Sequence, residues 1–138
     1  MHTIYEQLEL HEGRRSKVYL DSLGIPSIGV GRNLRDRGLR PDEIDFLLAN
    51  DVHEVVEALQ EAFPFYNNLN LVRQRVLIDM GFMGVSKLKK FKKMIAALKA
   101  GDYSRAADEM LKSKWAGQVK GRAVRLSRMM ATGADYVV

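Results

Sequence analysis

"LELHEGRRSKVYLDSLGIPSIGVGR", from Leu8 to Arg32, changes its period halfway along, and that change decides the fold. Ile4, Tyr5, Leu8 and His11 fall on one helical face, and Gly13 supplies a stop. Beyond it Val18 and Leu20 belong to a short extended run. "DSLG" has turn chemistry, and Ile28 and Val30 continue in extended form. Pro26 brings no N–H to a ladder, so its strand is expected at a sheet edge or to begin late. Gly29 and Gly31 mark bends or a close approach of backbone. The stretch reads as a helix end leading into a small hairpin or three-stranded sheet, too slight to stand without a helix against it.

Working outward, "NLRDRGLR" (33–40) is a connection. In "PDEIDFLLANDVHEVVEALQEAF", Pro41 suits a first helical turn and Asp42 and Glu43 favour its positive end. Ile44, Leu47, Leu48, Val52, Val55, Val56 and Leu59 recur at three- and four-residue steps. They predict a helix over about 41–62, roughly 33 Å long. After Pro64 the chain reads as wholly helical. "SKLKKFKKMIAALKAG" places Leu88, Phe91, Ile95 and Leu98 on one face. Asp102 caps a segment with Tyr103, Ala106, Ala107 and Met110 inward. The last helix turns Ala123, Leu126, Met129 and Met130 inward and closes at Gly133. The expected class is α+β, mainly helical, in one domain of two lobes. A sheet lobe covers about 13–40, a connecting helix about 41–62, and a helical lobe about 64–138 that includes the N-terminal helix (3–11).

At 138 residues, 46% hydrophobic and 28% charged, the chain has the composition of one globular domain, which excludes wholesale disorder. No apolar run approaches the ~18–20 residues of a membrane span. "MHTIYEQLELHEG" lacks the basic start and apolar block of a secretory signal. The absence of cysteine excludes disulfides and thiolate metal sites, and His2, His11 and His53 have no ligand spacing. Neither a metal nor any other cofactor is expected.

The net charge of +5 is unevenly spread. Residues 1–63 carry seven Lys/Arg against twelve Asp/Glu, and 64–138 carry fifteen against five. Such a basic half suits nucleic acid, anionic lipid or the bacterial envelope, or simply a solvated basic face. "KLKKFKK" (87–93) reads first as a solvated helix face and second as attraction to anionic envelope polymers or lipids. Trp115, Met129 and Met130 read as core. Asp79, in an apolar helix, is left open between a backbone bond near a cleft, a cap and solvent. "SIGVG" does not precede a helix with phosphate-loop spacing.

Glu12 and Asp21 stand nine positions apart, around the helix end and the turn. Glycosidic hydrolysis needs one carboxylic acid to protonate the leaving oxygen and a second carboxylate on the other face of the sugar. A glutamate at a helix end and an aspartate in the adjoining turn could flank a sugar-sized cleft. By spacing alone, two solvated surface acids are the better reading, because the same separation occurs by chance in many chains.

"HEGRRSKVYLDSLGIPSIGVGR" resembles the catalytic segment of the T-even phage lysozymes, the endolysin muramidases of glycoside hydrolase family 24. The shared pattern is Glu12-Gly13, then Tyr19-x-Asp21, then Ser27-Ile28-Gly29-Val30-Gly31-Arg32 in a T-I-G-x-G-H-like strand. "DEIDFLLANDV" is similar to the start of that family's lobe-connecting helix. "AADEMLKSKWAGQVKGRAVRL" is similar to its closing segment, with Trp115 seven residues before Arg122 and Arg125 after that. The resemblance implies that Glu12 is the general acid, with burial raising its affinity for protons. It implies that Asp21 stabilises positive charge on the sugar and helps activate water, which Ser27 orients in place of the usual threonine. It further implies inversion, with carboxyls ~6.5–9.5 Å apart to admit that water. Arg122 would pair with Glu12. Phe82, Asn33 and Glu109 align with substrate-binding positions.

The chain departs from the family at several points. His11 replaces an acid, leaving Arg125 without its expected partner, and Arg32 replaces a histidine, with Asp51 expected to pair with it. The sheet lobe is short. The implied function is hydrolysis of peptidoglycan without cofactor by a probable phage endolysin, expected to be a monomer. It would be held in the host cytoplasm until a separate membrane lesion opens the way to the wall. The competing readings are a non-catalytic cationic wall-binding or envelope-disrupting protein and a nucleic-acid-binding helical domain. The second has no helix-turn-helix signature to support it, so nucleic acid is not expected as a partner.

Overall fold

The computed structural model describes residues 1–137. It divides into two compact units, Met1–Leu48 and a second from Ala49 onward. The secondary structure is α+β and mainly helical, as expected.

In the N-terminal unit, α1 (Ile4–Glu12) opens at Thr3, whose Oγ1 accepts the Glu6 N–H at 3.1 Å. It closes at Gly13, in the positive-φ conformation (φ 79°) that glycine adopts without steric cost. Strands β1 (Arg15–Leu20), β2 (Pro26–Gly29) and β3 (Arg32–Asn33) form an antiparallel sheet in that order. β2 is therefore the central strand, so of the two placements expected for Pro26 the late start is the one found, and the edge is not. Pro26 is tolerated because it begins the strand, where its missing N–H is not called on, and its carbonyl accepts the Leu34 N–H at 2.9 Å. The register is irregular between Arg15 and Tyr19, so the strand bends beside the candidate site.

Helix α2 (Pro41–Ala62) has the predicted bounds, and the division between the units falls inside it. Its apolar stripe is only partly used. Leu59 is fully buried, with Val55 and Val56 against the same core. Ile44, Leu47 and Leu48 remain about half exposed, and α1 has no buried residue. A unit of 48 residues holds too little chain to cover every apolar side chain it carries.

The C-terminal unit is helical after Pro64: a 3₁₀ turn (Tyr66–Asn68), then α3 (Leu71–Gly81), α4 (Val85–Leu88), α5 (Lys92–Lys99), α6 (Tyr103–Leu111), α7 (Lys114–Val119) and α8 (Gly121–Thr132). Val76, Leu77, Met80, Leu88, Met110 and Met130 are fully buried at its centre. Asn70, Asp102 and Ser113 cap α3, α6 and α7, each accepting a backbone N–H three residues on. The segment 86–101, expected as one helix, is two. Phe91, at φ −77° and ψ 59°, breaks it, and its ring packs edge-on against the buried Trp115 at 6.2 Å. Arg73 ties the ends together: its Nε and Nη2 donate to the Met130 and Ala131 carbonyls, and its guanidinium lies 3.7 Å from the centre of the Tyr103 ring. Among the described residues no helix is long and apolar enough to cross a membrane.

Candidate active site

The three residues read as catalytic all lie in the N-terminal unit, strung along β2. Asp21 follows β1 at one end, where its N–H donates to the Ile25 carbonyl at 3.0 Å. Its Oδ1 accepts the Leu23 and Ile25 amides at 2.8 and 2.9 Å. A side chain with two bonds to its own turn is held in one orientation. Ser27 sits in mid-strand, only 3% exposed, and its Oγ donates to the Ile25 carbonyl at 3.3 Å. Glu12 belongs to the other end: a Cβ built on Gly31 would lie 3.0 Å from Glu12 Oε2. A side chain at position 31 would thus occupy the space of the carboxylate, which is the close approach the "SIGVG" glycines announced. Gly31 also needs its positive φ of 66°.

Along β2 the order is therefore Asp21, Ser27, Glu12. From Ile25 to Gly29 is roughly 13 Å of strand, with Asp21 bonded to Ile25 before one end and Glu12 beside Gly31, two residues past the other. Glu12 itself is exposed, which corrects the burial implied by the resemblance.

The register adds residues that spacing could not supply. Tyr19 and Asn33 are both paired with Ser27, so the three side chains share one face of the sheet. The Arg15 guanidinium stands 4.5 Å from the Tyr19 ring centre. Asn33, read as a substrate contact, is engaged locally: its Oδ1 accepts the Asp36 N–H at 2.8 Å and its Nδ2 donates to Asp36 Oδ2. It shapes the 33–36 loop.

Two supporting arginines have partners other than those expected. Arg32 meets Glu43 through both Nη atoms at 2.7 Å and donates to the Gly38 carbonyl, so Glu43 takes the place given to Asp51. Glu43 Oε1 also accepts the Arg40 N–H at 2.9 Å, joining the ion pair to the start of α2. The bonds from Arg32 and then from the Arg40 amide hold the Glu43 carboxyl down to about 2. Asp51 is exposed on α2. Arg122 is bound to Asp79, in place of Glu12: its Nε donates to Asp79 Oδ1 at 2.8 Å, its Nη2 contacts the same oxygen, and Nη2 also donates to the Asp79 carbonyl at 3.1 Å. Asp79, left open by the sequence, is thus an arginine partner.

Phe82 and Glu109 lie in the C-terminal unit. Phe82 ends α3 and is 44% exposed, while Glu109 lines a groove and approaches Lys112 at 3.7 Å. Among the described residues no group of three or more histidines, aspartates or glutamates converges as metal ligands.

The chain as a whole is similar to other proteins. The phage lysozyme family matches residues 9–128. The pre-baseplate central spike protein Gp5 of Enterobacteria phage T4 is 29% identical over 157 aligned positions, which cover 93% of this chain and 27% of that protein. The probable T4-type lysozymes 1 and 2 of Dictyostelium discoideum are each 23% identical over 161 positions, covering 95% of both chains. The chain thus spans about a quarter of the spike protein's length and nearly all of the Dictyostelium proteins. With a family match from the end of α1 into α8, this chain belongs to the phage lysozyme family, as a T4-type member.

Proposed function

We propose that this chain is a muramidase that hydrolyses the β-1,4 bond between N-acetylmuramic acid and N-acetylglucosamine in bacterial peptidoglycan, inverting the anomeric carbon. The observation that carries the reading is the arrangement along β2, with Asp21 at one end, Ser27 in the middle and Glu12 against Gly31 at the other.

Glu12 is the general acid. It is exposed in the free protein, so the bound glycan itself must exclude water from it, and that desolvation favours the neutral carboxyl. As the glycosidic bond breaks, Glu12 gives its proton to the leaving oxygen and positive charge grows on the sugar. Asp21 faces that charge. Its Oδ1 is committed to two amides, so Oδ2 is the oxygen available to take a proton from the attacking water. The Ser27 hydroxyl spends its own proton on the Ile25 carbonyl and keeps lone pairs to accept the water's second hydrogen. Water held between Asp21 and Ser27 attacks opposite the departing oxygen, and inversion follows. Phe82, Asn33 and Glu109 are proposed as contacts to the glycan, Arg32 with its partner Glu43 as support, and the chain is proposed to act as a monomer. As an endolysin it would act at the end of infection, after a separate membrane lesion.

Digestion of purified peptidoglycan, with mass analysis of the new reducing ends, tests this. Muramic acid at those ends and an α-anomer as first product are expected, and Glu12→Gln is expected to leave the glycan intact. Glucosamine at the new ends, or full cleavage by Glu12→Gln, overturns it. Lysis of chloroform-treated Gram-negative cells by Glu12→Gln would favour physical disruption instead.

A further inference from the structure

A groove of about 690 Å³ opens on the C-terminal unit. Six lysines line it: Lys87, Lys90, Lys92, Lys93, Lys112 and Lys114. Beneath them lie Met83, Phe91, Met94 and Trp115, and the single acid is Glu109. Lys112 approaches Glu109; among the described residues the other five lysines have no acid within 4.0 Å. Leu111 and Phe82, next in sequence to two lining residues, are 46% and 44% exposed.

Fold stability does not account for this placement. Lys92 and Lys93 occupy the first turn of α5, the positive end of the helix, where added cations are unfavourable. Phe91 before them offers no side-chain cap. Five unpaired cations around one opening raise its potential and call for an anion. The apolar floor narrows the choice. A soluble polyanion would leave Met83, Phe91 and the exposed Leu111 without use, whereas an anionic lipid presents phosphate to the lysines and hydrocarbon to the apolar side chains. Lysine stems around aromatic and methionine side chains suit a membrane interface.

We propose that this groove is a docking site for an anionic phospholipid surface, in addition to the glycan contacts proposed above for Glu109 and, at its edge, Phe82. Its test contains no peptidoglycan. The full chain is floated with vesicles of phosphatidylcholine containing phosphatidylglycerol, and with phosphatidylcholine alone. Trp115, the only tryptophan in the chain, reports contact through quenching by headgroup-labelled lipid. Binding is expected only to the anionic vesicles. The variant K87Q/K90Q/K92Q/K93Q is expected to lose more than about tenfold in affinity, while K99Q/R105Q/K120Q/R128Q, which removes as much charge elsewhere in the same unit, loses far less. Leu111→Gln is expected to weaken vesicle binding as well. The changed side chains are exposed, and unchanged circular dichroism confirms folding. Equal loss in the two quadruple variants, equal binding to uncharged vesicles, or an oligonucleotide bound as tightly as the anionic vesicles with Leu111→Gln unaffected overturns the proposal.

Discussion

Replacing Gly31 by alanine separates the two tasks of that residue. The first is conformational: at φ 66° an L side chain costs roughly 1–2 kcal/mol. For a chain of this length that lowers the melting temperature by roughly 4–8 °C. The second is spatial. The new Cβ would stand 3.0 Å from Glu12 Oε2, 3.2 Å from Cδ and 3.4 Å from Cγ. Glu12 is a flexible end-of-helix side chain, so it moves aside at little cost in stability, by about half an ångström. Proton transfer does not forgive such a shift: misplacing a reacting group by about 1 Å costs on the order of a hundredfold, so kcat should fall by roughly tenfold or more. Gly38→Ala is the control. Its φ is 63°, and the nearest atom to its added Cβ is the Leu34 carbonyl oxygen at 3.9 Å. Both variants should lose comparable stability by thermal circular dichroism, and only Gly31→Ala should lose turnover on peptidoglycan below both melting transitions. Equal turnover in the two would refute the placement of Glu12 as the proton donor.

Three further outcomes follow from the packing. Glu43→Gln removes the ion pair to Arg32 and weakens the start of α2, so it should lower the melting temperature at neutral pH. Because folding depresses the Glu43 carboxyl from 4.5 to about 2, its contribution is present above 4.5 and lost as pH falls through 2, and the variant should show a flatter loss of stability across that window in acid titrations. Gly81→Ala puts a Cβ 2.9 Å from Val55 Cγ1 in a fully packed position, which should cost about 1–3 kcal/mol by denaturant melts, and adding Val55→Ala should recover much of it. Asp79→Asn and Arg122→Gln should each cost no more than about 1 kcal/mol, and the double variant no more than either, since both break one half-exposed pair.

The parts of the fold that could be read in advance are those set by neighbours in sequence. Pro41 with Asp42 and Glu43 fixed the start of α2, Asp102 the start of α6, and Gly13 and Gly133 two helix ends, because each acts within one turn of itself. What failed was set by tertiary contact. "KLKKFKK" has unbroken helical periodicity, yet Phe91 turns out of the helix to meet Trp115, a partner 24 positions away. The stripe Ile44, Leu47 and Leu48 has the period of a buried face but outruns the core available to it. The site divides in the same way. Glu12, Asp21 and Ser27 were proposed from a local pattern, whereas Tyr19 joins Ser27 and Asn33 only through the strand register.

The arginine partners show why matching residue types does not by itself locate the partners of charged side chains. Arg32 was expected to find its acid on the long helix, and it does, but at the first turn. The connection 33–40 is so short that Glu43 arrives beside β3, while its Oε1 is already drawn toward the Arg40 amide. A guanidinium takes the nearest pre-organised carboxylate, because a partner held by a second hydrogen bond has less entropy left to lose. Asp79 offers Arg122 the same terms: the guanidinium reaches both its carboxylate and its backbone carbonyl, a grip that a solitary exposed carboxylate could not match. In a shortened chain the roles of charged supports are therefore reassigned by loop length. The two acids proposed as catalytic are instead held by a turn and a glycine inside the segment that defines them, so their placement does not depend on the length of the 33–40 connection.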